Sequence, residues 1–313
     1  MNIFVKTVSG EEYEVGGIEE IMLDESADAA CAALTFSFVT EKSAGEIDRV
    51  FAYENGELIF NGFCDRQKEK YLSSKTRCFV YARSGAALLL DNEAKPFSYQ
   101  NATASVLFDA YARELGFINK LPDISCEALY EVQKGSSCFG AINRFVSLVN
   151  GGRISVTPMN EIVLPEGGKR IDANALDIIE AVAAVNRSEP LSSIAFKRGA
   201  GEKNYGKTAH ARISDGLGIR RLKLVNLESL PEWQRDFTVV RTLAASYEKY
   251  KTLELTVSGY ARYALFSKMH YAANGDDGDY ILYGKRYCLD KSGEKTKLFF
   301  RKSIDIKEIT YVD

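Results

Sequence analysis

Apolar and polar positions alternate along much of the chain, the period-two signature of half-buried strands. "ALTFSFV" sets Leu34, Phe36 and Phe38 against small or polar neighbours. "NIFVKTV" and "EYEV" flank Ser9-Gly10, which predicts a hairpin. "DRVFAYENGELIFNGFCDRQKEKY" places Asn55-Gly56 between two alternating runs, a strong short-range hairpin signal, and "TRCFVYARS" adds a further strand. Strands this short and this regularly punctuated predict a small barrel or sandwich over residues 1–95.

The period changes after Pro96. "NATASVLFDAYARELGF" spaces Val106, Leu107, Tyr111 and Leu115 as a helix does, with Gly116 as its stop. "SSCFGAINRFVSLVN" predicts a second helix, apolar at Phe139, Ile142, Phe145, Val146 and Val149 and closed by Gly151-Gly152. "RISVTPMNEIVL" then reads as a hairpin turning at 158–160, so residues 96–165 form a small α/β unit. "DANALDIIEAVAAV" is expected to be a short helical run, "SSIAF" and "LGIRRLKLVN" strands. A helix near residues 238–250, with Val239, Leu243 and Tyr247 in register, leads into the strand "TLELTVSGY". "ALFSKMHYAA", "DYILYGKRYCLD" and "TKLFFRKSIDI" are three closing β-runs, separated by the turns "NGDDGD" and "KSGEK".

Composition narrows the function classes. With 40 basic against 43 acidic residues the chain lacks the electrostatic footprint of a nucleic-acid binder. The start of the chain does not read as a signal peptide, and no apolar run approaches the ~20 residues of a membrane helix. The six cysteines (Cys31, Cys64, Cys78, Cys126, Cys138, Cys288) form no C-x-x-C pair, and the two histidines, His210 and His270, are not at metal-finger spacing. Reduced, mostly buried thiols of a protein made in the cytosol are expected.

One motif calls for chemistry. "GEKNYGKT", residues 201–208, matches G-x-x-x-x-G-K-[ST] letter for letter, with Lys207 and Thr208 as the phosphate and Mg²⁺ groups. A working phosphate loop needs a strand before it and a long helix after it. "KTAHARISDGLG" offers about two turns before Gly216 and Gly218, and no acid-tipped apolar strand follows; "ALLLD", ending at Asp91, lies upstream in a β-rich segment. Residues 199–212 are therefore expected to be an exposed, mobile polar loop outside any sheet, free of nucleotide.

Other candidates are softer. "NGDDGD" (274–279) lacks the distal Glu of a calcium loop and reads as a solvated hairpin tip. Glu11-Glu12 and Glu19-Glu20 read as surface charges, and neither histidine lies in a nucleophile motif. "YEVQKGSS" (130–137) is similar to the opening of a LysM peptidoglycan-binding repeat, although a hairpin follows the helix where that module has a second helix. No catalytic, cofactor or metal residue is assigned.

"CFVYARSGAALLLDNEAKP" (78–96) resembles the strand, G-R-[SD], apolar turn and acid of baseplate hub proteins of contractile phage tails, including late control gene D and PBSX-type tail proteins. Ala82 stands where that family often has Gly, followed by Arg83, Ser84, the Leu88–Leu90 run and Asp91. The likeness extends through "ATASVLFDAYARELGF", "VQKGSSCFGAINRFVSLVNGGRISV" and "GDYILYGKRYCLDKSGEKTKLFFRK".

The resemblance implies a mainly β chain with α/β parts. Two tail-tube-like β-barrel domains, 1–95 and 166–313, would flank a small α/β domain, 96–165. It further implies a non-enzymatic homotrimer whose six barrels dock on the hexameric tail tube and whose other end meets the central spike protein and other baseplate proteins. Its place would be the baseplate of a virion or phage-tail-like particle, made in the bacterial cytoplasm, without cofactor, membrane insertion or nucleic-acid sequence recognition. The alternatives are a nucleotide-binding protein using 201–208 and a LysM-like cell-wall-binding protein.

Overall fold

A computed structural model describes residues 1–165, 167–197, 199, 205–228, 230–273, 275–303 and 309–312. The chain is mainly β. Its first seven strands are β1 (Asn2–Thr7), β2 (Glu12–Glu14), β3 (Ile18–Ser26), β4 (Ala33–Thr40), β5 (Ile47–Glu54), β6 (Glu57–Tyr71) and β7 (Thr76–Ser84). They pair antiparallel in the order β3-β4-β7-β6-β5-β1-β2. Alternation dictates the packing: Ile21, Leu23, Leu34, Phe36, Val50, Phe60 and Val80 all turn to one buried face. Asn55 (φ 49°) and Gly56 (φ 80°) both take the left-handed backbone that a two-residue hairpin between β5 and β6 requires. Gly62 serves close approach, since a Cβ there would lie 2.2 Å from the Arg83 carbonyl oxygen on β7.

Helices α1 (Ala87–Asp91), α2 (Ala104–Tyr111) and α3 (Cys138–Asn150) follow. Thr103 caps α2 by accepting from the Val106 amide, and Ser137 caps α3 by accepting from Gly140; Gly151 at φ 74° ends α3. Leu107, Phe108, Ile142, Phe145 and Val146 bury the facing helix stripes. Tyr130 is buried with them and donates its hydroxyl hydrogen to the Ala141 carbonyl at 2.6 Å. The hairpin strands Ser155–Val156 and Glu161–Val163 pair as expected, and Glu161–Val163 also runs parallel to Ile118–Lys120.

The C-terminal strands join the first sheet. From one edge the order is Ile178–Val185, Lys251–Ser258, Gly293–Lys302, Asp276–Asp290 and then β3. Asp276–Asp290 pairs antiparallel with β3 over Ile21 to Ser26, so strands from both ends of the chain form one thirteen-stranded sheet. Among the described residues it runs from edge to edge without closing into a barrel. Leu253, Leu255, Tyr280, Leu298 and Phe300 are among the buried residues of this half.

A separate four-stranded sheet has the order Leu222–Asn226, Ser193–Lys197, Lys207–Ala211, Ile309–Val312. Helix α4 (Ile213–Leu217) follows its third strand in the chain, and α5 (Glu232–Tyr247) packs Val239, Leu243 and Tyr247 against Ile194, Phe196 and Ala209.

Four expectations are corrected. "IIEAVAAV" is a strand, Ile178–Val185, because Lys251–Ser258 offers it a full antiparallel ladder and its branched residues suit the pleat; an Ala-rich composition does not decide against that pairing. Lys207–Ala211 lies inside a sheet, paired on both sides, with Ala209 and Ala211 buried. "ALLLD" is the helix α1 in a segment expected to be β-rich. The "NGDDGD" turn is shorter than expected: Gly275 takes φ 81° and the strand begins at Asp276, while Asn274 lies outside the described residues.

Candidate functional site

Lys207 and Thr208 stand where a phosphate loop would place the start of a helix. Instead they open a strand in which Phe196 pairs with Lys207 and Ala195 with Thr208. A phosphate cradle needs consecutive backbone N–H groups converging on one point, whereas an extended strand sends them alternately to opposite edges. Thr208 also pairs with Val312 on the other side, so both edges of the strand are occupied. The next helix, α4, starts only at Ile213 and spans five residues. Residues 201–204 of the motif lie outside the described residues.

The same sheet assembles a Ser–His–Asp chain that residue spacing did not reveal. Ser193 Oγ lies 3.0 Å from His210 Nδ1, and His210 Nε2 lies 3.1 Å from Asp215 Oδ1. Strand pairing of Ser193 with His210 brings the first two together, and the turn into α4 supplies the acid. The arrangement resembles a catalytic relay only in its order. The Asp215 side chain is 67% exposed, so water screens the charge that should orient the imidazole. The Ser193 amide donates to the Arg221 carbonyl and the Ala211 amide to the Ser192 carbonyl, which leaves these neighbours unable to stabilise an oxyanion. The three residues tie α4 to the sheet.

His270 sits between Asp279 (3.2 Å from Nδ1) and Asp277 (3.4 Å from Nε2) beside the hairpin turn, so two acids of "NGDDGD" flank one imidazole along a strand. Among the described residues, no group of three or more His, Cys, Asp or Glu side chains is placed to hold a metal ion. All six cysteines are free, and burial pushes the Cys64 and Cys78 thiols up to about 11. Glu12 pairs with Lys6 and Glu19 with Arg77 at the surface. The LysM-like opening forms the strand Tyr130–Val132 and α3, but Tyr130–Val132 pairs with Phe97–Tyr99, and a hairpin follows the helix. Arg83 joins the resembled motif physically: it bridges Asp65 on β6 and Asp91 at the end of α1, which holds the Asp91 carboxyl below the usual carboxylate range.

What remains is surface, and the sheet edges dominate it. Ile178–Val185 is the outermost strand of the large sheet, and every residue in it is exposed, including Ile179, Val182 and Val185. Its outer backbone groups have no strand partner among the described residues. β6 extends from Asp65 to Tyr71 beyond its backbone pairing with β5, and there Gln67 and Glu69 bond residues 44–47 through their side chains only. Counting from Ile178–Val185, β6 is the eighth strand along the sheet, and every pairing on the way is antiparallel. Ile178–Val185 is apolar and uncovered, and such an edge is a template for another strand.

No family model and no curated protein matches the chain. Solved structures do. The 43 kDa tail protein of prophage MuSo2 from Shewanella oneidensis is similar at a TM-score of 0.78 and 15% identity, covering 96% of this chain and 98% of that one. The fold is that of phage tail proteins. A tail protein from Neisseria meningitidis has a TM-score of 0.74 at 16% identity, with 96% of each chain covered. The E. coli c3393 protein, a type VI secretion component described as similar to the T4 tail proteins gp27 and gp5, has a TM-score of 0.58 at 9% identity over 93% of this chain and 74% of that one. The tail-protein fold thus accounts for nearly the full chain, including the α/β unit between the two β-rich parts.

Proposed function

We propose that this chain is the structural baseplate hub of a phage tail or phage-tail-like particle, in which three copies close a ring between the hexameric tail tube and the central spike. The observation that carries the reading is the exposed, apolar outermost strand Ile178–Val185, from which β6 is the eighth strand of an antiparallel run. Eight is even and all its pairings are antiparallel, so Ile178–Val185 of one copy can add antiparallel to Asp65–Tyr71 of the next, whose backbone has no ladder on that side, by displacing the side-chain bonds from Gln67 and Glu69 to residues 44–47. Such a contact is heterologous and head-to-tail, and it closes when the rotation per copy is one-third of a turn. Residues 1–95 and 166–313 then act as two comparable tube-facing β-modules per copy, matching threefold to sixfold symmetry, with 96–165 as the α/β domain between them.

The likeness to tail proteins and to a secretion component akin to the T4 proteins gp27 and gp5 supports this place in the particle. The role is assembly without catalysis, with tube, spike and other baseplate proteins as partners. Mass photometry of the purified chain, alone and with its tube and spike proteins, tests it. A trimer in either condition is expected, and a chain that stays monomeric with both partners contradicts the reading.

A further inference from the structure

The smaller sheet carries a second exposed edge, at Leu222–Asn226, which the ring described above does not use. Among the described residues this strand pairs, in parallel, with Ser193–Lys197 alone. The Arg221 carbonyl accepts from Ser193, and the Leu227 amide donates to Lys197, so odd-numbered residues direct their backbone groups inward. The N–H and C=O groups of Leu222, Leu224 and Asn226 therefore face outward. Leu222 and Leu224 are also 61% and 57% exposed, side by side on one face of the sheet. Proline and bulge, two of the usual guards of an edge, are missing from this strand; its one charge is Lys223.

On the other face of the same edge, Lys223 lines a groove of about 570 Å³ with Leu148, Leu191, Phe237 and Arg241 of α5; Glu189 is the acid at its wall. Arg241 is only partly exposed and donates to the Ser147 hydroxyl. Among the described residues no carboxylate lies within ion-pair distance of Arg220, Arg221, Lys223 or Arg241, in a chain whose net charge is −3. Lys223 and Arg241 in the groove, with Arg220 and Arg221 immediately before the strand, outnumber Glu189 and make the surroundings of this apolar edge basic.

We infer that this edge and groove receive an extended segment of a partner protein in which apolar and acidic side chains alternate. The segment adds as a fifth strand: its backbone pairs with Leu222, Leu224 and Asn226, its apolar side chains cover Leu222 and Leu224, and its acids reach Lys223 and Arg241. Strand addition supplies affinity through the backbone and specificity through alternate side chains. The site is separate from the ring-closing edges, so it stands or falls independently of the hub reading.

Fluorescence anisotropy of the full chain with two labelled eight-residue peptides, one alternating Val and Glu and one alternating Val and Lys, tests the site. Saturable binding is expected for the Glu peptide, weakened by salt, with at least tenfold weaker binding of the Lys peptide. Lys223→Glu should cost tenfold or more. Leu224→Pro removes an outward N–H that the sheet does not use, so it should abolish binding while thermal unfolding shows an intact fold. Failure of the Glu peptide to saturate, equal binding of both peptides, or unchanged binding in Lys223→Glu overturns the inference; the Lys223→Glu result decides even if the proline variant does not fold.

Discussion

Lys285 Nζ lies 2.7 Å from Glu25 Oε2, across the seam where the strand Asp276–Asp290 meets β3. The Lys285 side chain is 9% exposed, and its ammonium also approaches the ring of Tyr260 at 5.7 Å. This pair joins residues from opposite ends of the chain, so it bears on whether the two β-rich parts act as one body. Lys285→Ala leaves Glu25 half-buried without its cation and should cost about 2–3 kcal/mol, read as a lower denaturant midpoint at unchanged slope. Replacing both residues by Met and Leu should recover most of that loss. A single variant as stable as the parent would mean that the seam is held by backbone pairing and packing alone.

Stability should fall at alkaline pH. Burial pushes the Cys64 and Cys78 thiols up to about 11, whereas thiols of an unfolded chain ionise near about 8.5. An acid whose folded value is raised contributes stability that is complete below the unfolded value and is lost as pH rises towards the folded one. The melting temperature should therefore drop between about pH 8.5 and 11, and the Cys64→Ala/Cys78→Ala variant should show a smaller drop. An identical decline in both proteins would assign the effect to other groups.

Lys207→Ala should leave behaviour towards Mg²⁺-ATP and Mg²⁺-GTP unchanged, because Lys207 opens a paired strand and does not precede a helix. Isothermal titration of both proteins checks this. Nucleotide binding by the parent that the substitution removes would require a loop conformation different from this one.

The exposed edge Ile178–Val185 gives a test of assembly separable from folding. Ile179 and Val182 are 62% and 48% exposed, so Ile179→Lys/Val182→Lys buries no new charge within one copy. Its melting temperature should stay within a few degrees of the parent's, while lysines on the edge oppose strand addition and abolish the trimer. A trimer that survives this double substitution would place the contact between copies elsewhere.

Much of the fold is legible in the sequence where local signals agree with tertiary pairing. Asn55-Gly56 and the stops Gly116 and Gly151 each mark their elements because a left-handed backbone conformation demands those residues. Ile178–Val185 and Lys207–Ala211 are not legible in this way. Both depend on ladders with strands far along the chain, Lys251–Ser258 and Ile309–Val312, which no local pattern encodes. The Ser193–His210–Asp215 chain and the cation cluster around Lys223 and Arg241 were hidden for the same reason, since pairing and helix packing bring their members together. The short segment after Lys207 and Thr208 is legible as too short for a phosphate-loop helix, and α4 spans five residues, whereas the strand that Lys207 and Thr208 open was not read from the sequence.

The most direct measurement is an image of the assembled particle, by electron cryomicroscopy, with this chain located in it. The account predicts three copies in a ring between tail tube and spike, with Ile178–Val185 of each copy lying beside Asp65–Tyr71 of its neighbour. Six copies, a position away from the tube–spike junction, or a ring in which those two edges do not meet would contradict it.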